Sequence, residues 1–127
     1  MRDSMRAKIE RASREKLQEL QSQRLRETVE RAYENVDFYR ETLDEAGLVP
    51  SDIETVGDIS KLPFMRKADF REQYPDGLFA VENEELRRIH ASSGTTGKPK
   101  IVGYTDADLE LWRGVMARSM TAAGISE

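Results

Sequence analysis

The chain has no cysteine and one histidine in 127 residues. Disulfides, a thiol nucleophile, a Cys-ligated zinc and a multi-histidine metal site are therefore all excluded. Aromatics are scarce, at 7%, and the hydrophobic set at 38% predicts a modest core. No apolar run approaches the ~20 residues needed to span a bilayer. The N-terminus mixes acidic and basic residues and is no secretory signal, which leaves the cytoplasm as the expected compartment. A net charge of −4 and a pI near 5.2 come with no basic stripe carrying interleaved aromatics. Nucleic-acid and membrane partners are disfavoured accordingly. A chain of this length predicts one compact unit.

Charged residues make up 35% of the chain, and they are concentrated in a stretch without glycine or proline. Residues 4–35 predict one long helix of Arg, Lys, Gln, Glu and Leu, with Leu25, Val29, Ala32 and Val36 at helical spacing. Asp37 is the expected N-cap of a second helix, Phe38 to Ala46, ended by Gly47. Ser51 with Glu54 has capping-box spacing for a short turn. Asp58 is expected to cap another that stops near Pro63. A short helix over residues 66–73 ends at the turn signal Tyr74-Pro75-Asp76-Gly77, and residues 78–81 read as extended. Two strands follow, residues 86–90 and 101–104. Thr105 then caps a last helix that runs to about Ala123 and stops at Gly124. Leu109, Trp112, Val115, Met116 and Met120 share one side of it.

The two strands flank Ser92-Ser93-Gly94-Thr95-Thr96-Gly97-Lys98-Pro99-Lys100. Ionised phosphate offers many acceptor oxygens and no donor. Holding it takes converging donors: backbone N–H groups brought close by glycine, hydroxyls and lysine as a mobile point charge. The segment is not the familiar P-loop, which needs four residues between its glycines and a Ser or Thr after its lysine. Here Thr95 and Thr96 alone separate Gly94 from Gly97, and Pro99 follows Lys98. Pro99 has no N–H and biases Lys98 towards extended geometry, so a strand should follow the loop. A surface turn rich in Ser, Thr and Gly, binding nothing, is the plainer alternative.

Other candidates carry less. A lone His90 in a strand reads as a packed residue, and Trp112 as a core residue on the apolar side of its helix. Phe38, Tyr39, Phe64, Phe70 and Phe79 also read as packing residues, and Met116 and Met120 as gap fillers. Asp106 and Asp108 read as helix-start carboxylates, with Lys61, Arg66 and Lys67 solvated. No residue stands out as catalytic and none as a metal ligand.

The 92–100 segment resembles the phosphate-binding motif of the adenylate-forming superfamily. Its surroundings resemble the N-terminal part of phenylacetate-CoA ligases: Val36-Asp37-Phe38-Tyr39-Arg40, Lys61-Leu62-Pro63-Phe64, Tyr74-Pro75-Asp76-Gly77-Leu78-Phe79-Ala80, Arg88-Ile89-His90-Ala91 and Val102-Gly103-Tyr104-Thr105. The resemblance implies a mixed α+β piece of the ligase N-terminal domain. Residues 1–36 would form a helical arm, and residues 37–127 the first portion of an AMP-binding domain: short helices, a strand–loop–strand hairpin and a C-terminal helix. It implies that Ser92, Ser93, Gly94, Thr95, Thr96, Gly97 and Lys98 bind the phosphates of ATP with Mg²⁺ bridging them. It also implies that an aryl carboxylic acid is adenylated and passed to CoA. Family members are several times longer, so the chain is expected to be incomplete as a catalyst. The apolar side of its last helix would lack strands to cover it and would favour self-association. The reading from a different class is a non-catalytic nucleotide-binding or helical interaction module.

Overall fold

Ser13 opens the first long helix, in a computed structural model that describes residues 9, 11–92 and 97–125. Its hydroxyl accepts the Lys16 N–H at 3.3 Å, and its own backbone is extended. A side-chain oxygen at this position satisfies one of the N–H groups that every helix start leaves unpaired. Helix α1 therefore runs Arg14–Asn35. The single helix predicted from residue 4 is interrupted: Ile9 is helical, but Arg11 to Ser13 are not. Residues 1–8 and 10 of that prediction lie outside the described residues.

One residue, Val36, joins α1 to α2 (Asp37–Glu45). Val36 is extended, 2% exposed, and still donates to the Ala32 carbonyl at 3.0 Å. Asp37 was expected as the N-cap; it is instead the first helical residue, and its carboxylate takes a 2.9 Å ion pair from Arg40. The remaining donors of Arg40 reach back to the last turn of α1, Nε to the Tyr33 carbonyl at 3.1 Å and Nη2 to the Glu34 carbonyl at 3.0 Å. The planar guanidinium thus holds both sides of the corner, satisfying carbonyls that have no partner within α1. Helix α2 ends as predicted at Gly47. The Gly47 N–H bonds the Asp44 carbonyl and the Leu48 N–H bonds the Leu43 carbonyl, both at 2.9 Å, the two bonds of a Schellman end.

Two 3₁₀ turns follow, Pro50–Asp52 and Val56–Lys61. Ser51 does not cap the first; the Asp52 carboxylate accepts the Val49 N–H at 2.8 Å. In the second, Thr55 is the cap and Asp58 sits three residues in, accepting from the Thr55 N–H at 2.8 Å and from its hydroxyl at 3.0 Å. Lys61 is solvated as expected, and its ammonium also pairs with Asp58 at 2.8 Å and donates to the Asp52 carbonyl at 3.0 Å. The second turn and the link before it are tied to α1, since Ser22 Oγ accepts the Val56 N–H at 2.9 Å and Arg26 donates to the Glu54 carbonyl.

These bonds surround the core of the first of two compact units, Met1–Arg66 and Lys67–Glu127. Val29 from α1, Leu43 from α2 and Ile53 between the turns are buried together, with Leu25, Tyr33, Leu48 and Leu62 against them. Ile53 has no exposed surface; removing such a side chain typically costs about 2–5 kcal/mol. Phe64, expected to pack, is 97% exposed and stands beside an apolar groove of about 310 Å³ lined by Leu25, Ala32, Phe38, Tyr39 and Pro63.

The second unit contains α3 (Lys67–Glu72), a 3₁₀ turn at Asn83–Glu85, strands β1 (Arg88–Ser92) and β2 (Lys100–Tyr104), and α4 (Asp106–Ala122). Residues 78–81 form turn and bend backbone, not the extended piece predicted: the Phe79 N–H is taken by the Asp76 carbonyl at 2.9 Å. The strands form one antiparallel hairpin with Arg88 opposite Tyr104, His90 opposite Val102 and Ser92 opposite Lys100. Thr105 caps α4 as predicted. Its hydroxyl accepts the Asp108 N–H at 3.3 Å, while the Asp108 carboxylate accepts the Thr105 N–H at 2.9 Å, a reciprocal box. Asp106 pairs with Arg87 at 3.0 Å, so both aspartates serve the helix start. Gly124 and Ile125 close α4 with bonds to the Thr121 and Met120 carbonyls, both 3.0 Å.

The chain is therefore mixed α+β, mostly helical with one two-stranded hairpin. Gly114 is the one buried residue among the described residues of the second unit. Trp112, Met116 and Met120, read as packing residues, are 40–48% exposed, and Val115 on the same helix is 48% exposed. Trp112 meets the hairpin rings, and the rest of this apolar side is left open, as expected for a helix lacking strands to cover it. No helix among the described residues is long and apolar enough to cross a membrane.

Candidate phosphate-binding loop

The β-ladder closes at Ser92 and Lys100, leaving residues 93–99 as the connection. The predicted loop thus begins inside β1. Ser92 Oγ accepts the Lys100 N–H at 3.3 Å, which occupies one lone pair and leaves the hydroxyl proton free to donate. Ser93, Gly94, Thr95 and Thr96, four of the seven predicted site residues, lie outside the described residues.

Gly97 has φ +119°, a region L side chains rarely adopt, and a Cβ there would meet nothing within 4 Å. Glycine is required at this position by backbone conformation, not by crowding. The opposite holds at Gly103 on β2, where a Cβ would come within 2.8 Å of Leu86 and 3.2 Å of Phe79. That contact packs the far face of the hairpin against the segment leading into it.

Both lysines of the motif have aromatic neighbours. The Lys98 ammonium lies 5.3 Å from the centroid of the Tyr74 ring, and the Lys100 ammonium 5.3 Å from that of Phe70. These are cation–π distances. By sequence alone Tyr74 reads as a turn residue and Phe70 as a packing residue. The spacings held the signal: Phe70 and Tyr74 are four apart, Lys98 and Lys100 two apart.

On the hairpin face shared with Lys100, three rings gather. His90 lies edge-on to Tyr104 at 5.0 Å and to Trp112 at 5.7 Å, while Tyr104 stacks on Trp112 at 5.5 Å. His90 is thus a packing residue that fastens β1 to α4. Among the described residues no three His, Cys, Asp or Glu side chains gather to hold a metal ion.

No family model matches the chain. It is 53% identical over 116 residues to the phenylacetate-coenzyme A ligase of Thermus thermophilus and 52% identical over 116 residues to that of Escherichia coli. The Aromatoleum evansii ligase of the same name is 50% identical over the same length. The chain's relatives are phenylacetate-coenzyme A ligases. In each case 91% of this chain is matched, but it spans only 26% of the ligase. Among solved structures, 2-hydroxyisobutyryl-CoA ligase in complex with 2-HIB-AMP and CoA superposes with a TM-score of 0.77 at 32% identity, covering 85% of this chain and 24% of that one. The same ligase in its postadenylation state, with 2-HIB-AMP, gives 0.78 at 30% identity, covering 88% and 24%. The fold described above is thus shared with a quarter of an acyl-CoA ligase.

Proposed function

We propose that the chain is the portion of an AMP-forming aryl-CoA ligase that holds the phosphates of ATP. The observation that carries this reading is the hairpin exit. A ladder closed at Ser92 and Lys100 presents a glycine-bent connection with two ammonium groups at its end. The ligases it resembles support the reading.

In the reaction, a carboxylate oxygen of the acid attacks the α-phosphorus of ATP and the bond to pyrophosphate breaks, giving an acyl-adenylate. CoA sulfur then attacks the acyl carbonyl and AMP leaves, giving the thioester. This chain contributes to the first step. Lys98, the Gly97 N–H, the Ser92 hydroxyl and the donors of Ser93, Gly94, Thr95 and Thr96 orient the β- and γ-phosphates and offset the charge that builds on the departing pyrophosphate. Groups for adenine, the aryl acid and CoA belong to the remaining three-quarters of a full-length ligase. The apolar side chains exposed on α4 would pack against that remainder. The reaction belongs in the cytoplasm, where ATP and CoA meet.

Titration of ATP into the purified chain tests this. Weak binding, displaced by inorganic pyrophosphate and weakened about tenfold by Lys98→Met, is the expected result, since a charge-assisted contact of ~1.4 kcal/mol corresponds to that factor. Binding indifferent to Lys98→Met would remove the loop from the mechanism. A pyrophosphate-release assay over a panel of aryl acids, on a ligase-length version, then identifies the acid.

A further inference from the structure

We infer that Phe70 and Tyr74 form an aromatic rail that positions the two lysines of the loop, and that they are positioning residues for the phosphate site. The inference rests on the reading of residues 92–100 as a phosphate loop. Its basis is a pair of parallel contacts between the segment after residue 66 and the exit of the loop. Helix α3 ends at Glu72, and the Gln73 N–H still bonds the Asp69 carbonyl at 2.9 Å. Phe70 lies on α3 and Tyr74 in the turn that follows it. Lys98 lies in the bend that leads into β2, and Lys100 is the first residue of that strand. The two pairs meet in register, with Lys98 over Tyr74 and Lys100 over Phe70, both at 5.3 Å.

The rail addresses a weakness of lysine as a phosphate ligand. Its four-carbon stem samples many rotamers, and fixing them on binding is costly. An ammonium resting on a ring face keeps outward N–H bonds for an anion while the stem is already ordered. The ring itself offers the phosphate nothing, so its effect passes entirely through lysine. Pro99 between the lysines fixes φ and helps keep the two side chains in step.

Two measurements on the whole chain test this. Lysines are reductively dimethylated with ¹³C, which keeps their charge, and the Lys98 and Lys100 signals are assigned with Lys98→Arg and Lys100→Arg. Both signals should be shifted upfield by the ring currents. The Lys98 shift should vanish in Tyr74→Leu, return in Tyr74→Phe, and be unaffected by Phe70→Leu, which should move Lys100 alone. Affinity for inorganic pyrophosphate, measured on unmodified protein, should fall about two- to fivefold in Tyr74→Leu, the range expected from one exposed cation–π contact, with rescue by Tyr74→Phe. If Lys98→Met weakens pyrophosphate binding while Tyr74→Leu and Phe70→Leu do not, the rail is wrong and the loop reading stands. If Lys98→Met itself has no effect, the loop reading falls and the rail with it. Ring-current shifts absent from the unaltered chain would overturn the rail on their own.

Discussion

Gly97 concentrates the conflict between stability and function that a phosphate loop must resolve. Its φ of +119° suits almost no other residue, yet the space around it is open. Gly97→Ala should therefore destabilise the hairpin by about 1–3 kcal/mol through backbone strain alone and weaken pyrophosphate binding in parallel. Gly97→D-Ala, introduced by chemical ligation, should restore both, because a D-residue tolerates positive φ. Loss in both variants would point to crowding and sink the conformational account. The role of glycine here was legible from the sequence. The roles of Phe70 and Tyr74 were not, because a ring becomes a lysine support only when two distant segments lie at matching spacing.

At the level of the element, local polar side chains set where helices and turns begin, and neighbours in space decide which of them do so. Thr105 was recognisable as a cap from its residue type and the carboxylates of the turn that follows, and Asp108 reciprocates. Asp37 is also of a capping type, but Arg40 captures its carboxylate while also gripping the end of α1. Asp58 carries a consequence for pH. The Lys61 ammonium first, then the Thr55 N–H and hydroxyl, hold its carboxyl well below the ordinary carboxylate value of 3.8. In the unfolded chain that value is ordinary, so between the two values the unfolded state binds more protons and stability rises with pH. The contribution is complete above about pH 5 and disappears as pH falls through the depressed folded value. Asp58→Asn should lower the urea midpoint at neutral pH and flatten its decline between about pH 4 and pH 2. Parallel acid limbs in the two proteins would mean that this turn does not hold the proton off.

On the scale of the molecule, burial is unequal. Val29, Val36, Leu43 and Ile53, the buried apolar side chains, all belong to Met1–Arg66, whereas Lys67–Glu127 buries a single glycine among its described residues. Its hairpin has two strands, a number that is marginal without further packing. Amide hydrogen exchange should thus show the slowest amides in α1 and α2, and protection in β1 and β2 lower by at least about tenfold. Equal protection across both units would contradict this division. The exposed Leu111, Val115, Met116 and Met120 of α4 belong to the same account, as apolar surface that the described residues of this unit leave uncovered.

The order of helices and strands, the glycine-closed helix ends, the Thr105 cap and the positive φ of Gly97 were readable along the chain, because each depends on residues a few positions apart. Family resemblance was readable for the same reason, through several short motifs in order. Tertiary structure alone decided that Ser13 interrupts the first helix, that Phe64 stays in solvent while Ile53 is sealed, and that the motif's lysines rest on Tyr74 and Phe70. Hydrophobicity and charge state what a side chain prefers. Which preferences are met depends on what the rest of the fold brings within a few ångströms, and apolar side chains outnumber the buried places available in this length of chain.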